Sequence, residues 1–117
     1  MISSAFDASA SGILAAATKL RANANNIANA NTNGYKAQRV DMVQRPAGVE
    51  AKTALVDGPS RADAAADSNR VNPVPPSDVN LADEMVSLVA NENFYQANVQ
   101  ALKAADEMMG TLLDTSA

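Results

Sequence analysis

The side chains able to do chemistry are few, and carboxylates are the most conspicuous. Asp83-Glu84 and Asp106-Glu107 form two adjacent acidic pairs. Paired carboxylates can serve acid–base or metal chemistry when they converge on one point. Adjacent helical residues do not face each other, so neither pair converges by itself. The chain of 117 residues has no histidine and no cysteine. Imidazole bases, thiol nucleophiles, disulfides and the usual zinc ligands are therefore missing together. No glycine-rich phosphate loop accompanies the acids. No catalytic, cofactor-binding or metal-binding residue is assigned, and no enzyme is expected. The net charge of −4 argues against a phosphate-binding surface, hence against nucleic acid, which needs clustered Lys and Arg.

Two long elements must position whatever this chain presents. In the first, Ile2, Phe6, Ser9, Ile13, Ala16, Leu20, Asn23 and Ile27 recur in alternating fours and threes. That spacing predicts a helix over about 4–29 with a heptad seam. Asn31-Thr32-Asn33-Gly34 stops it, because Asn and Gly tolerate positive φ. In the second, Leu81, Met85, Leu88, Glu92, Tyr95, Val99, Leu102, Asp106, Met109 and Leu113 share one 4-3 seam over about 80–113. Asn80 caps its start, and Asp83 and Glu84 favour the first turn, where the helix dipole is positive. A second stripe of smaller apolar residues, from Val86 to Leu112, predicts more than one neighbour. Glu92 and Asp106 interrupt the seam. They sit either at its solvated edge or as register-setting charges, with Lys19, Arg21 or Lys103 as partners.

The middle is different in character. Residues 35–44 and 49–56 predict a short hairpin around Arg45-Pro46-Ala47-Gly48. From Asp57 to Asp78 the chain is rich in Pro, Ala, Ser and Asp and reads as an extended linker, with too little apolar surface to offset ordering entropy. The longest purely apolar run, Ile13 to Ala17, is far too short to cross a bilayer, so no direct membrane insertion is expected. The N-terminus lacks the pattern of a cleaved secretory signal.

Aromatic residues number only four, Phe6, Tyr35, Phe94 and Tyr95, of which Phe94 and Tyr95 are read as core rather than as a ligand platform. A buried Leu, Ile or Met contributes roughly 1.5–3 kcal/mol. A two-helix hairpin can bury only one face of each helix, and nothing here staples it covalently. Small scaffolds of this kind gain stability by oligomerising.

Six asparagines, Asn23, Asn25, Asn26, Asn29, Asn31 and Asn33, occupy eleven positions. They mark either a fraying helix end or a polar contact patch. The run Asn25-Asn26-Ile27-Ala28-Asn29-Ala30-Asn31-Thr32-Asn33-Gly34-Tyr35-Lys36 is similar to the signature of the bacterial flagellar rod and hook protein family. The segments Val79 to Val86, Tyr95-Gln96-Ala97-Asn98 and Ala105-Asp106-Glu107-Met108-Met109 resemble that family's C-terminal region. The short middle resembles its proximal-rod members most.

The resemblance implies a mainly α fold, in which long N- and C-terminal helices pair as an antiparallel coiled coil around a short polar middle that can hold a β-hairpin. The expected organisation is residues 1–34 for the first helix and Asn-rich motif, 35–78 for the middle, and 79–117 for the last helix. It implies a structural subunit of the periplasmic basal-body rod, serving flagellum-dependent motility and exported by the flagellar type III apparatus without a cleaved signal. Its partners would be other copies, other rod and hook subunits and the export apparatus. The expected contact residues are Ile13, Leu20, Asn25, Asn26, Ile27, Asn29, Thr32, Gly34 and Tyr35 at one end. At the other they are Leu81, Met85, Leu88, Tyr95, Asn98, Val99, Leu102 and Met109. The rival expectation is a soluble helical adaptor or export chaperone for flagellar axial proteins, which would hold a partner helix in a groove.

Overall fold

The computed structural model describes residues 2–56 and 74–115. Of the linker predicted from Asp57 to Asp78, residues 57–73 lie outside the described residues. Two helices, α1 (Ile2–Ala28) and α2 (Leu81–Thr115), flank two strands, β1 (Gln38–Arg45) and β2 (Gly48–Leu55). The fold is mainly helical, with a small antiparallel hairpin in its middle.

Each boundary has a local cause. α1 ends where the Asn29 amide is shared between the carbonyls of Asn25 and Asn26, both at 3.1 Å. Ala30 and Thr32 then close tighter turns on Ile27 and Asn29, and Gly34 takes a φ of 76°, a left-handed value cheap only for glycine. α2 begins at an Asn80 cap, whose Oδ1 accepts from the Ala82 amide at 3.2 Å. Asp83 and Glu84 occupy its first turn.

The hairpin pairs Gln38 with Leu55 at its base and Arg45 with Gly48 at its tip. Pro46 fixes its own φ near −65°, and Gly48 supplies the reversal with a φ of 135°. The hairpin lies along α1. At its tip the Val49 amide donates to Ser11 Oγ at 3.0 Å, and at its base Asn26 bonds the backbone of Gln38. The lengths agree: Gln38 to Arg45 spans about 23 Å of strand, and Ser11 to Asn26 about 22 Å of helix. A lone hairpin is marginal in water; α1 is its support.

α1 and α2 pack antiparallel. Asn26 and Asn23 meet Glu84, the Ala16 carbonyl accepts from Asn91, and Gly12 underlies Asn98. α1 is thus sandwiched, with α2 on one side and the hairpin on another. The buried apolar residues of the described chain are all alanines: Ala15, Ala16, Ala22, Ala37 and Ala105. The buried polar ones are Ser9, Asn23, Asn26 and Asn91.

This differs from the expected seam. The face of α2 turned to α1 is Glu84, Leu88, Asn91, Asn98, Leu102 and Ala105. It is rotated by one residue at alternate positions from the series through Met85, Glu92, Val99 and Asp106. Leu81, Met85 and Leu20 are exposed, as are Phe6 and Leu14. The cause is backbone approach. Glycine and alanine on α1 let α2 come close at Gly12 and Ala16, where the short polar side chains of Asn98 and Asn91 fill the gap.

Candidate functional site

The best-organised constellation in the molecule is a polar clasp joining the end of α1, the first strand and the start of α2. Asn26 lies at its centre and is 1% exposed. Its Nδ2 donates to the Gln38 carbonyl at 2.8 Å and to Glu84 Oε1 at 2.7 Å. Its Oδ1 accepts from the Gln38 amide at 2.8 Å and from the Tyr35 hydroxyl at 3.1 Å. Two donors and two acceptors are the full capacity of a carboxamide, and all four are used. Asn23 Nδ2 donates to Glu84 Oε2 at 2.7 Å. The two Glu84 oxygens are thus divided between two asparagines one turn apart on α1.

The surrounding backbone closes the clasp. The Gly34 amide donates to the Pro75 carbonyl at 2.6 Å, and the Asp78 amide donates to the Tyr35 carbonyl at 3.2 Å. Lys36 Nζ lies 3.4 Å from an Asp78 carboxylate oxygen. Burial, and then the Glu84 charge, push the Tyr35 phenol above its ordinary pKa of 10.

Of the residues expected to make contacts at this end, Asn26, Gly34 and Tyr35 meet within the chain. Asn25 is exposed, with Nδ2 3.5 Å from Gln38 Oε1. Asn29 and Thr32 stabilise the helix stop, Thr32 donating to Asn29 Oδ1 at 3.1 Å. Ile13 and Ile27 are half-buried. On α2, Leu88, Asn98, Val99 and Leu102 are half-buried, whereas Leu81, Met85, Tyr95 and Met109 are exposed. Glu92 and Asp106 are exposed, and Glu92 accepts from Gln96 at 3.1 Å. Neither charge is paired with Lys19, Arg21 or Lys103.

Glu84 and Asn91 were not singled out by sequence as contact residues. Their signal is a seven-residue repeat of short or polar side chains, Glu84, Asn91, Asn98 and Ala105, matched on α1 by Ser9, Ala16 and Asn23.

Beside the clasp runs a groove between the helices, with a volume of about 500 Å³. Ala16, Ala17, Leu20, Leu88, Val89 and Tyr95 contribute to its lining. Beyond it the outer surface of α2 carries Met85, Val86, Met108 and Leu112, all exposed. Large apolar side chains left exposed in this number are the material of an interaction surface. Among the described residues no group of three or more acids could hold a metal ion, and no helix is long and apolar enough to cross a membrane.

Residues 6–36 match the family described as "Flagella basal body rod protein". Residues 77–115 match "Flagellar basal body rod FlgEFG protein C-terminal". The chain belongs to the flagellar basal-body rod protein family. Together the matches span more than half of this rod-family chain. They meet in the clasp, since Asn23 and Asn26 lie in the first matched segment and Glu84 in the second. The family supports a structural role in the rod of the basal body, in assembly with other rod and hook subunits. A search of curated proteins gives no significant match.

Proposed function

We propose that this chain is an axial subunit that self-assembles with further copies and with other rod and hook proteins, in support of motility. The observation that carries the proposal is an inversion of ordinary packing. Alanine and short polar side chains occupy the fully buried part of the intrachain interface, and most of the large apolar ones remain exposed. Val86 is 71% exposed and Leu14 69%. A two-helix unit of this design has its internal register set by polar pairs and its main hydrophobic stabilisation deferred to assembly.

In this reading α1 and α2 pair as an antiparallel coiled coil with a small-residue seam. Residues 1–34, 35–78 and 79–117 act as first helix with asparagine motif, middle segment and last helix. The short middle favours a proximal-rod position. The chain is exported by the flagellar type III apparatus without a cleaved signal and works in the periplasm, with no catalytic step.

The test is substitution of exposed residues that the isolated fold does not use. Val86→Asp and Met85→Asp should leave the helix content of the free chain unchanged. They should remove the protein from purified basal bodies and abolish motility in a complemented null strain. A chain that forms a stable small oligomer and never appears in basal bodies would instead be the soluble adaptor.

A further inference from the structure

Asn33-Gly34 is the sole Asn-Gly pair in the chain, and it lies in the turn that leads from α1 to β1. Asn33 is exposed, and its side chain makes no hydrogen bond with a described residue. Asn23, Asn26, Asn29, Asn91 and Asn98, by contrast, each donate from Nδ2 to a neighbour. Asparagine is among the thermolabile residues, because the backbone nitrogen that follows it can attack its side-chain carbonyl. A glycine in that following place has no Cβ to obstruct the approach and leaves the backbone its widest freedom.

The reaction joins Gly34 N to Asn33 Cγ and breaks the Cγ–Nδ2 bond. The Gly34 nitrogen gives its proton to solvent, and Nδ2 takes one from solvent and leaves as ammonia. The product is a five-membered cyclic imide, which one water then opens. Cleavage between Cγ and the nitrogen leaves aspartate at position 33. Cleavage between the backbone carbonyl carbon and the nitrogen leaves isoaspartate, whose main chain runs through Cβ and Cγ. One water is consumed and one ammonia released, and nothing is oxidised or reduced.

In the folded chain the clasp holds the nucleophile. The Gly34 N–H donates to the Pro75 carbonyl at 2.6 Å, and the Tyr35 amide donates to the Thr32 carbonyl at 3.1 Å across the same turn. Attack requires that the Gly34 N–H be free to lose its proton. It also requires that the Asn33–Gly34 peptide turn toward the Asn33 side chain. Both movements break the bond to Pro75, a loss that nothing in the turn replaces. The next residue is anchored as well: the Tyr35 hydroxyl donates to Asn26 Oδ1 at 3.1 Å, and its carbonyl accepts from the Asp78 amide at 3.2 Å.

We infer that Asn33-Gly34 is a deamidation site gated by the clasp. It cyclises while the end of α1 is open and is held once Gly34 bonds Pro75. Isoaspartate inserts one carbon into the main chain between position 33 and Gly34 and adds a carboxylate. That shift carries the Gly34 amide away from Pro75 and the Tyr35 carbonyl away from the Asp78 amide. A chain that reacts before the clasp closes therefore closes it poorly, and the site sorts chains by the time they have spent open. This holds whatever the chain assembles with.

The test follows the purified full-length chain at mildly alkaline pH by mass spectrometry of the tryptic peptide 22–36, with fragmentation to locate the change. In urea, position 33 should convert much faster than Asn31 in the same peptide, which precedes a β-branched threonine. In the folded chain it should convert about tenfold or more slowly than in urea, since reaction waits on local opening. Asn26→Ala should bring the folded rate toward the urea rate. Tyr35→Phe, which loses only the hydroxyl's bond to Asn26, should raise it about fivefold with wild-type helix content, and it alone decides if Asn26→Ala unfolds the chain. Conversion in urea no faster at position 33 than at Asn31 overturns the site. A folded rate equal to the urea rate, or one that Tyr35→Phe does not move, overturns the gate. Finally, the isoaspartate fraction, separated and refolded, should exchange the Gly34 and Asp78 amides faster than the unmodified fraction; equal protection overturns the sorting.

Discussion

Gly12 of α1 lies directly beneath the side chain of Asn98 of α2. A Cβ built at position 12 would collide with the Asn98 carboxamide, 2.6 Å from its Cγ. Asn98 cannot turn away without cost, because its Nδ2 donates to the Phe94 carbonyl at 2.8 Å. Two effects therefore oppose each other in Gly12→Ala. Alanine in a helix interior is favoured over glycine by about 1 kcal/mol, whereas overpacking a close interface costs about 1–3 kcal/mol. The clash involves three atoms of a held side chain, so overpacking wins. Gly12→Ala should lower the stability of the free chain by about 1 kcal/mol in urea unfolding, net of the propensity gain. Gly12→Ala with Asn98→Ala should recover it, which a purely local effect at position 12 would not allow.

The clasp predicts a different signature. Asn26→Ala removes four hydrogen bonds and leaves the Gln38 amide and carbonyl without their side-chain partner. Leaving a buried donor or acceptor unsatisfied costs about 1–3 kcal/mol. The expected loss is about 3 kcal/mol, a large share of the stability of so small a unit. Amide exchange should report it locally, with Gln38 exchanging much faster. Asn25→Ala, one position away and exposed, should change neither exchange nor stability by more than about 0.5 kcal/mol. If the two substitutions behaved alike, the clasp would not order this end of the molecule.

Tyr35 supplies a pH dependence. Its folded pKa lies above the unfolded value of 10, so between the two the native state holds a proton that the unfolded chain has released. Stability from this group is fully present below pH 10 and is lost as pH rises through the folded pKa. The cause is burial first, with the Glu84 carboxylate adding repulsion to the phenolate. Alkaline titration followed by tyrosine absorbance and by circular dichroism should show late ionisation of Tyr35, with loss of structure accompanying it. Tyr35→Phe should remove that alkaline step and lower stability at neutral pH by about 1 kcal/mol, the worth of one hydrogen bond.

Both helices, the Asn80 cap of α2, the stop that ends α1 and the hairpin around Pro46 and Ala47 were legible in the sequence, because periodicity and turn chemistry are local properties. The family was legible too, in the run from Asn25 to Lys36 and its counterpart in α2. The face of α2 was not. A search for large apolar residues at heptad spacing finds Met85 and Val99, while the structure turns Glu84, Asn91 and Asn98 inward. That choice follows from close approach at Gly12 and Ala16, a pairwise property of two helices distant in sequence. The asparagine cluster illustrates the same limit. Its composition was consistent with a frayed end or a contact patch, yet Asn26 is buried against its own chain, because Glu84 and Gln38 converge on it from elsewhere in the fold.

Gly110 separates the formation of the C-terminal part of α2 from its role in the proposed assembly. A Cβ at this position meets nothing within 4 Å, so Gly110→Ala should act through the helix alone. Replacing glycine by alanine in an exposed helix interior is worth about 0.5–1 kcal/mol. At about 100° per residue, Gly110 lies roughly 150° around the helix from the middle of the stripe formed by Met108, Met109 and Leu112. Gly110→Ala should therefore raise the helix content of the free chain by circular dichroism and leave incorporation into basal bodies unchanged or improved. Leu112→Asp should do the reverse, leaving helix content near that of the wild type while incorporation fails. An unchanged rod with Leu112→Asp would remove the stripe from the interface. A rod lost with Gly110→Ala would move the contact to the opposite side of α2.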